Sequence, residues 1–518
     1  MCYLVLILFI RVRSWLPIMK KYDHIVVGSG ISGLTMSLLL SMSGYKVLLI
    51  EKSPIIGGSL SRFTRRGIPF DTGFHFTGGF HEGGILSDIL TLLGLRDSIE
   101  PIFLPDSSQN QFIFESHGKS FEHPSGIETI KNRFKGYFPA EIQAIDRYFE
   151  KVQSVCRRTP SLNLRENVIA PPNLEEDYIS LDTVLRELTS NELLRGLFSG
   201  YAMCYGVRPA EVSFANHSRM ALSFYESIAF VKDGGDAFVR AFKEKFGQYD
   251  VDIRCGTYIT ELSDIRDSKV GRFVLNTGEE VAADACVFTI HPKDILGLLP
   301  EKHFSKAFAQ RISSFESSLG LFSAFATFKP GSSDPNPDAS ILSIFPDADV
   351  NNLLDPAYKG VPALVVVKSP NQGNGSTEKG ICIVEPSYAE HVSKWTDSRR
   401  GSRPDEYLNY KHSRVEAIKE HLFSVFPEFR ETLDFLDAGS ILTFKDYLCS
   451  PDGSAYGVKQ KMGQFNLIGK LPLHNLFAAG QSSLLPGIIG AMMSSLIVGR
   501  AIVGKEHYGK LLDGSICH

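Results

Sequence analysis

The chain has 518 residues, 43% of them hydrophobic and 22% charged, with a formal net charge of -4. That length supports a large core divided between more than one unit, and the near-balanced charge gives no electrostatic footprint for a nucleic-acid partner. The 8 cysteines are scattered, with no CxxC pair and no metal-ligand spacing, which points to a reducing, cytoplasmic setting and excludes a disulfide scaffold.

The first residues, Met1 to Ile10, are apolar, and Arg11, Arg13 and Trp15 follow them. A secretory signal carries its positive charges before the apolar stretch, and a membrane span needs about 20 apolar residues. Two readings of residues 1–18 stay open: a start placed too early, with Met19 as the natural beginning, or an interfacial anchor with Trp15 at the headgroups.

His24 to Val27 reads as a short buried strand. It runs directly into Gly28-Ser29-Gly30-Ile31-Ser32-Gly33, a helix over Leu34 to Ser43 closed by Gly44, and a second strand over Lys46 to Glu51. That β-α-β order gives the glycines a mechanism. Gly28 permits the tight turn, Gly30 lets a pyrophosphate approach the backbone, and Gly33 lets the helix pack close to the sheet. Glu51 stands where an acid accepts from a ribose 2′-hydroxyl, which disfavours NADP. Ser32 and Lys52 flank these positions. Gly57, Gly58, Ser59 and Arg62, then Phe70-Asp71-Thr72-Gly73, extend the phosphate-binding region. This suits a longer dinucleotide, FAD rather than NAD, with Arg62 available to neutralise a phosphate.

Helices are expected over Gly126 to Lys151, Leu181 to Phe198 and Glu406 to Val425. Strands are expected over Val251 to Arg254, Arg272 to Leu275, Ala285 to Thr289 and Ala363 to Val367. Near the C-terminus, Asn475 to Ala479 is a buried strand entering a turn at Gly480 and a helix. Nucleotide-domain features therefore fall in three blocks. The expected organisation is a discontinuous dinucleotide domain over 20–85, 228–300 and 446–510, with a second domain over 86–227 and 301–445. The 36 phenylalanines suit a large apolar ligand as well as a large core.

The chain resembles the phytoene desaturase, carotenoid isomerase and retinol saturase group of the flavin amine oxidase superfamily. The motifs that carry this are Gly28 to Gly33, Gly57-Gly58-Ser59, Phe70 to Phe76, Tyr205 to Pro209 with Val212-Ser213-Phe214, Ser450 to Gly457, and Ala479-Gly480-Gln481 with Pro486 to Ala491. The Asp-Thr-Gly-x-His and Gly-Gln forms are most similar to the retinol saturase branch.

The resemblance implies an α/β fold: a GR2-like, discontinuous Rossmann-type FAD-binding domain with an inserted α+β substrate domain. It implies that Gly28, Gly30, Gly33 and Glu51 hold the ADP half of FAD, and that Gly57, Gly58, Ser59 and Arg62 line the pyrophosphate and ribityl region. Ile259 would meet the adenine, and Gly480 and Gln481 the ribityl–phosphate chain. The stretch Gly487, Ile488, Gly490 and Ala491 would bring a helix N-terminus to the flavin pyrimidine, where a positive helix end stabilises negative charge.

The expected chemistry is redox at carbon–carbon double bonds of a polyene or isoprenoid lipid: saturation, desaturation or isomerisation. Flavin amine oxidase activity and a prenyl-binding escort role are the alternatives. His75, which follows the Asp-Thr-Gly turn, is the first candidate proton donor, with Tyr205 and Tyr456 as the other candidates, ahead of His217 and His291. Lys232 stands where relatives have a Pro-x-Gly-Gly element and is a candidate for the flavin N5 side. No second dinucleotide fold is apparent, so an external electron donor or acceptor is expected. A lipid substrate implies peripheral contact with a membrane.

Overall fold

Strand β1 (Lys20–Val27) is buried from His24 onward and lies at the middle of an eight-stranded sheet. The computed structural model describes residues 19–106, 110–169, 171–370, 380–464 and 466–514. Both readings of residues 1–18 lie outside the described residues. After β1 come helix α1 (Ile31–Met42) and strand β2 (Val47–Ile50). Strands β3 (Val251–Arg254), β4 (Ile259–Arg266), β5 (Lys269–Leu275) and β6 (Glu280–Phe288) follow much later, and β7 (Leu476–Ala478) near the end. Five of these run parallel, in the order β3-β2-β1-β6-β7. The β4–β5 hairpin joins the first half of β6 antiparallel, which leaves the second half free to pair with β7. This is the Rossmann-type arrangement, assembled from distant parts of the chain.

Helix α1 is buried continuously from Ser32 to Ser41. It is apolar on most of its surface because it lies between the sheet and helix α2 (Gly487–Val503), itself buried from Gly490 to Gly499. Small residues let the two helices approach. Ser32 and Ser495 hydroxyls meet at 2.6 Å, the Ser495 hydroxyl donates to the Ser32 carbonyl at 2.8 Å, and a Cβ on Gly499 would lie 2.3 Å from Leu39. The long apolar C-terminal stretch is thus interior packing. No helix among the described residues is long and apolar enough to cross a membrane.

A second, seven-stranded sheet takes its strands in the order Leu433–Gly439, Gly320–Phe328, Gly380–Ser387, Leu364–Lys368, Ile341–Phe345, Asn110–Phe114 and Lys119–His123. It is antiparallel except where Ile341–Phe345 meets Asn110–Phe114. Period-two alternation splits its faces. Phe322, Leu342, Ile344, Leu364, Val366 and Ile383 pack with Ile418 and Leu422 of helix Asp405–Val425. The opposite face turns towards a helical layer and the nucleotide half.

Two expected helices are each broken in that layer. Gly126 to Lys151 divides into Ile127–Tyr137 and Ile142–Arg157. Pro139 supplies no amide hydrogen and disfavours the helical conformation at Phe138. Leu181 to Phe198 divides into Leu181–Leu188 and Glu192–Ser199, because the Asn191 side chain caps a new helix by accepting from the Leu194 amide at 3.1 Å.

The helical layer and second sheet bury His123 and His217, and desolvation lowers both imidazoles from 6.5 to about 3. Between those limits the unfolded chain binds protons that the folded chain refuses, so stability falls as pH falls below about 6.5. The buried His75, lowered to about 4, adds to the same trend, while Asp71, raised from 3.8 to about 6 by burial, works in the opposite sense below pH 6 and offsets one of the three histidines. The urea midpoint should therefore drop between pH 6.5 and 5. His123→Phe, a ring change inside an aromatic cluster, should flatten that slope by about 1.4 kcal/mol per pH unit, read from denaturation curves at several pH values.

Candidate functional site

The carboxyl ends of β1 and β2, the N-termini of α1 and α2, and the inner face of the second sheet enclose one cavity of about 1230 Å³. Its floor is the glycine turn. Gly28 leaves β1 at φ +95°, a conformation that side chains other than glycine rarely adopt, and Thr289 at the end of β6 donates to the carbonyls of Val27 and Gly28 at 2.9 and 3.2 Å. A Cβ on Gly33 would fall 1.8 Å from the Gly28 carbonyl oxygen, so glycine is what lets α1 reach the turn. A Cβ on Gly30 would meet nothing within 4 Å, since that residue faces the cavity.

The second glycine pair docks on the first. The Gly57 amide donates to the Ser29 carbonyl at 3.0 Å, and a Cβ on Gly58 would lie 3.2 Å from the Gly30 Cα. Glu51 ties the two loops together. Its Oε2 accepts from the Ser29 amide and hydroxyl at 2.8 and 2.7 Å, and its Oε1 accepts from the Ser53 amide at 2.7 Å. A carboxylate offers roughly four acceptor positions, which leaves about one for a ligand hydroxyl.

Ser32, Lys52, Ser59 and Ile259 also line the cavity, as do Gln481, Gly487, Ile488, Gly490 and Ala491. Gly480 stands one residue behind the wall at φ +116°, its amide donating to Ser494 at 2.7 Å. A Cβ there would lie 3.2 Å from the Thr289 carbonyl, so the C-terminal turn packs on the strand end that also buttresses Gly28. The two helix N-termini at this cavity have no side-chain cap and no acidic residue in the first turn. Their free amides and positive dipole ends are therefore available to anionic groups. A diphosphate beside Gly30 and an electron-rich ring beside Gly487 both fit this cradle.

Two expected site residues are placed elsewhere. Arg62 lies outside the cavity wall, buried in an ion pair with Asp71 (3.1 Å) and donating to the Asp233 carbonyl at 2.9 Å. Its charge braces the Asp71 turn, which burial would otherwise leave uncompensated. Lys232 is on the surface, 2.8 Å from Glu100, and reaches no part of the cavity. It follows the last residue of a buried strand, Ile228–Val231, where the side chain emerges into solvent.

The three candidate proton donors share the wall. The His75 ring lies 3.9 Å from the Cys382 sulfur, and burial lowers its imidazole to about 4, so it is neutral near pH 7. The Tyr205 hydroxyl is tied to His217 Nδ1 at 2.8 Å, and His217 Nε2 meets the Tyr148 hydroxyl at 2.7 Å. The Tyr456 hydroxyl makes only a long 3.4 Å bond to the Met203 carbonyl. Burial raises both of these wall phenols and keeps them protonated. His291 also lines the cavity, its Nδ1 accepting from the Lys293 amide at 3.2 Å.

The apolar part of the cavity was not read from the sequence. Leu321, Val365, Val367 and Val384 come from the second sheet, and Met220, Leu222 and Phe224 from helix Phe214–Glu226. The alternation along 364–368 and 380–387 was the available signal, but alternation alone does not say which face meets a cavity. Among the described residues no cluster of His, Cys, Asp and Glu could hold a metal ion, and Cys156, Cys204, Cys255, Cys286, Cys382 and Cys449 are free thiols.

A parallel nucleotide sheet, a doubled glycine cradle under two helix N-termini and an adjoining apolar chamber define a flavin-dependent oxidoreductase. The sequence profile of flavin containing amine oxidoreductases matches residues 31–348, more than half of the chain, and the chain belongs to that family. FAD is its cofactor. The chain is 26% identical to all-trans-retinol 13,14-reductase of Macaca fascicularis over 545 aligned residues, covering 95% of this chain and 87% of that protein. A shorter stretch of 146 residues is 32% identical to prolycopene isomerase 2 of an Oncidium hybrid cultivar, covering 28% of this chain and 24% of that one. Among solved structures, an oxidoreductase from Methanosarcina mazei superposes with a TM-score of 0.62 at 14% identity, over 92% of this chain and 99% of that one. That likeness is one of fold.

Gly30 and Gly33 separate binding from folding. Gly33→Ala should destabilise the protein by at least about 1–3 kcal/mol, seen as an earlier unfolding midpoint even without flavin. Gly30→Ala should leave the flavin-free protein as stable as wild type and weaken flavin titration by about tenfold or more, because its methyl intrudes only on the ligand.

Proposed function

We propose that this protein reduces, or isomerises through a reduced flavin, a carbon–carbon double bond of a polyene or isoprenoid lipid. The observation that carries this is the chamber next to the N-terminus of α2. Leu, Val, Met and Phe side chains from the second sheet and the helical layer line it, and it belongs to the same cavity as the flavin cradle. The near full-length similarity to a retinol reductase, and the partial one to a prolycopene isomerase, support the same reading. An amine oxidase reading has support at the level of fold and family, and an escort role without flavin leaves the doubled cradle with no use.

When bound, FAD supplies or accepts the hydride. The chain's residues have the remaining tasks: to bind the apolar chain, exclude water and deliver a proton to the second carbon. Unlike the sequence-based first choice His75, which burial leaves neutral and without its acidic imidazolium form at pH 7, a tyrosine hydroxyl is a donor in its ordinary protonation state. The Tyr205 hydroxyl is engaged with His217. We assign proton delivery to Tyr456, whose hydroxyl is the least committed of the three. Glu51 and the cradle glycines would hold the nucleotide half, and the uncapped first turn of α2 would stabilise negative charge developing on a ring beside it. The substrate class places the protein against membranes as a peripheral visitor, and its redox partner is an external donor or acceptor.

Anaerobic, flavin-reduced protein incubated with all-trans-retinol or a carotene should yield a product heavier by two hydrogens, or an isomer of unchanged mass. Peroxide release with amines and no change in any polyene would sink the proposal. Tyr456→Phe should lower turnover by about 10²–10⁴ with unchanged flavin content, which single-turnover absorbance and flavin extraction would read.

A further inference from the structure

The helices Ile142–Arg157 and Phe214–Glu226 pack side by side and form part of the cavity wall. From the first helix, Gln153 and Arg157 reach that wall. They are four residues apart and so share one helical face. Arg157 is exposed to solvent while lining the cavity, which marks an opening between the interior and the outside.

Their neighbours differ from them in one respect. Arg158 is paired with Glu176 at 2.5 Å, and Arg219 holds Asp177 with two nitrogens at 2.6 and 3.1 Å. Gln153 and Arg157 have no side-chain hydrogen bond or ion pair among the described residues. The only carboxylate that the facing helix brings to the same wall is Glu226, which lies 3.8 Å from His81. Next to these donors, Met220, Leu222 and Phe224 begin the apolar surface.

An amide and a guanidinium together offer up to seven N–H groups, and at the cavity mouth these are free to exchange water for a ligand's acceptor oxygen. We infer that Gln153 and Arg157 form a subsite for the oxygen-bearing end, hydroxyl or carboxylate, of a polyene whose apolar body fills the chamber. This rests on the polyene reading above and deepens it: the substrate is a polar-ended lipid rather than a pure hydrocarbon, and the opening at Arg157 is where its head group stays.

Binding to the flavin-loaded protein tests this without turnover, by quenching of intrinsic fluorescence. The probes are all-trans-retinol, its carboxylic acid and axerophthene, the hydrocarbon of the same skeleton. The double variant Gln153→Leu with Arg157→Met should weaken the alcohol and the acid by about tenfold and leave the hydrocarbon unchanged. Arg157→Lys, which keeps the charge, should restore most of the acid's affinity. Unchanged affinity for all three probes, or an equal loss for all three, overturns the subsite. Wild-type protein that reduces polyenes while ignoring these substitutions removes the subsite alone. Wild-type protein that binds none of the probes removes the polyene reading with it.

Discussion

The close approach of α1 to the first strand turn is the contact on which the site depends. Gly33 sits so near the Gly28 carbonyl that no Cβ fits between them, and Thr289 holds the same carbonyl from the neighbouring strand. The contact fixes where the free amides of the first helical turn point. It also sets the position of Gly30, against which Gly58 packs, and hence of the second glycine loop. Glu51 then locks both loops with three hydrogen bonds. A displacement at Gly33 would pass through all of these, because each is seated on the one before.

Charge near the cofactor comes mainly from backbone rather than from side chains. Arg62 is committed to Asp71, Arg219 to Asp177, and Lys232 to a surface glutamate. Beside Lys52 on the nucleotide side, the glycine cradle is left with the positive ends of two helices aimed into one cavity, with no acid in either first turn. Such dipoles are fixed by the fold and need no reorganisation when charge moves, which is the property a redox site uses. Buried ion pairs such as Arg62 with Asp71 shape the cradle from outside, holding the turn that leads to His75.

The cavity changes character along its length. At one end glycine backbone and a buttressed glutamate suit a nucleotide. At the other, alternate residues of the second sheet and a face of the helical layer supply hydrocarbon surface. The two ends meet at the first turn of α2. An apolar molecule in that chamber would lie in the same cavity as a flavin held by the cradle, and the second sheet is sealed on its far side by helix Asp405–Val425.

The β-α-β unit, the glycine spacing and the acid at the end of β2 were legible in the sequence, because each reflects a local requirement: a turn with positive φ, a close helix, a strand end. The C-terminal Gly480 and Gly487 to Ala491 blocks were legible through their resemblance to a family. Tertiary structure decided the rest. Arg62 and Lys232 carry the right charge for a flavin site, yet one is neutralised by Asp71 and the other faces solvent, and spacing along the chain holds no record of either. Tyr205 and Tyr456 read alike as phenols, and only the fold places His217 against one and leaves the other nearly free. The apolar chamber arises where residues 321, 365, 384 and 222 meet. A local pattern can mark each as inward-facing, but which inward faces share one cavity is a property of how distant segments pack.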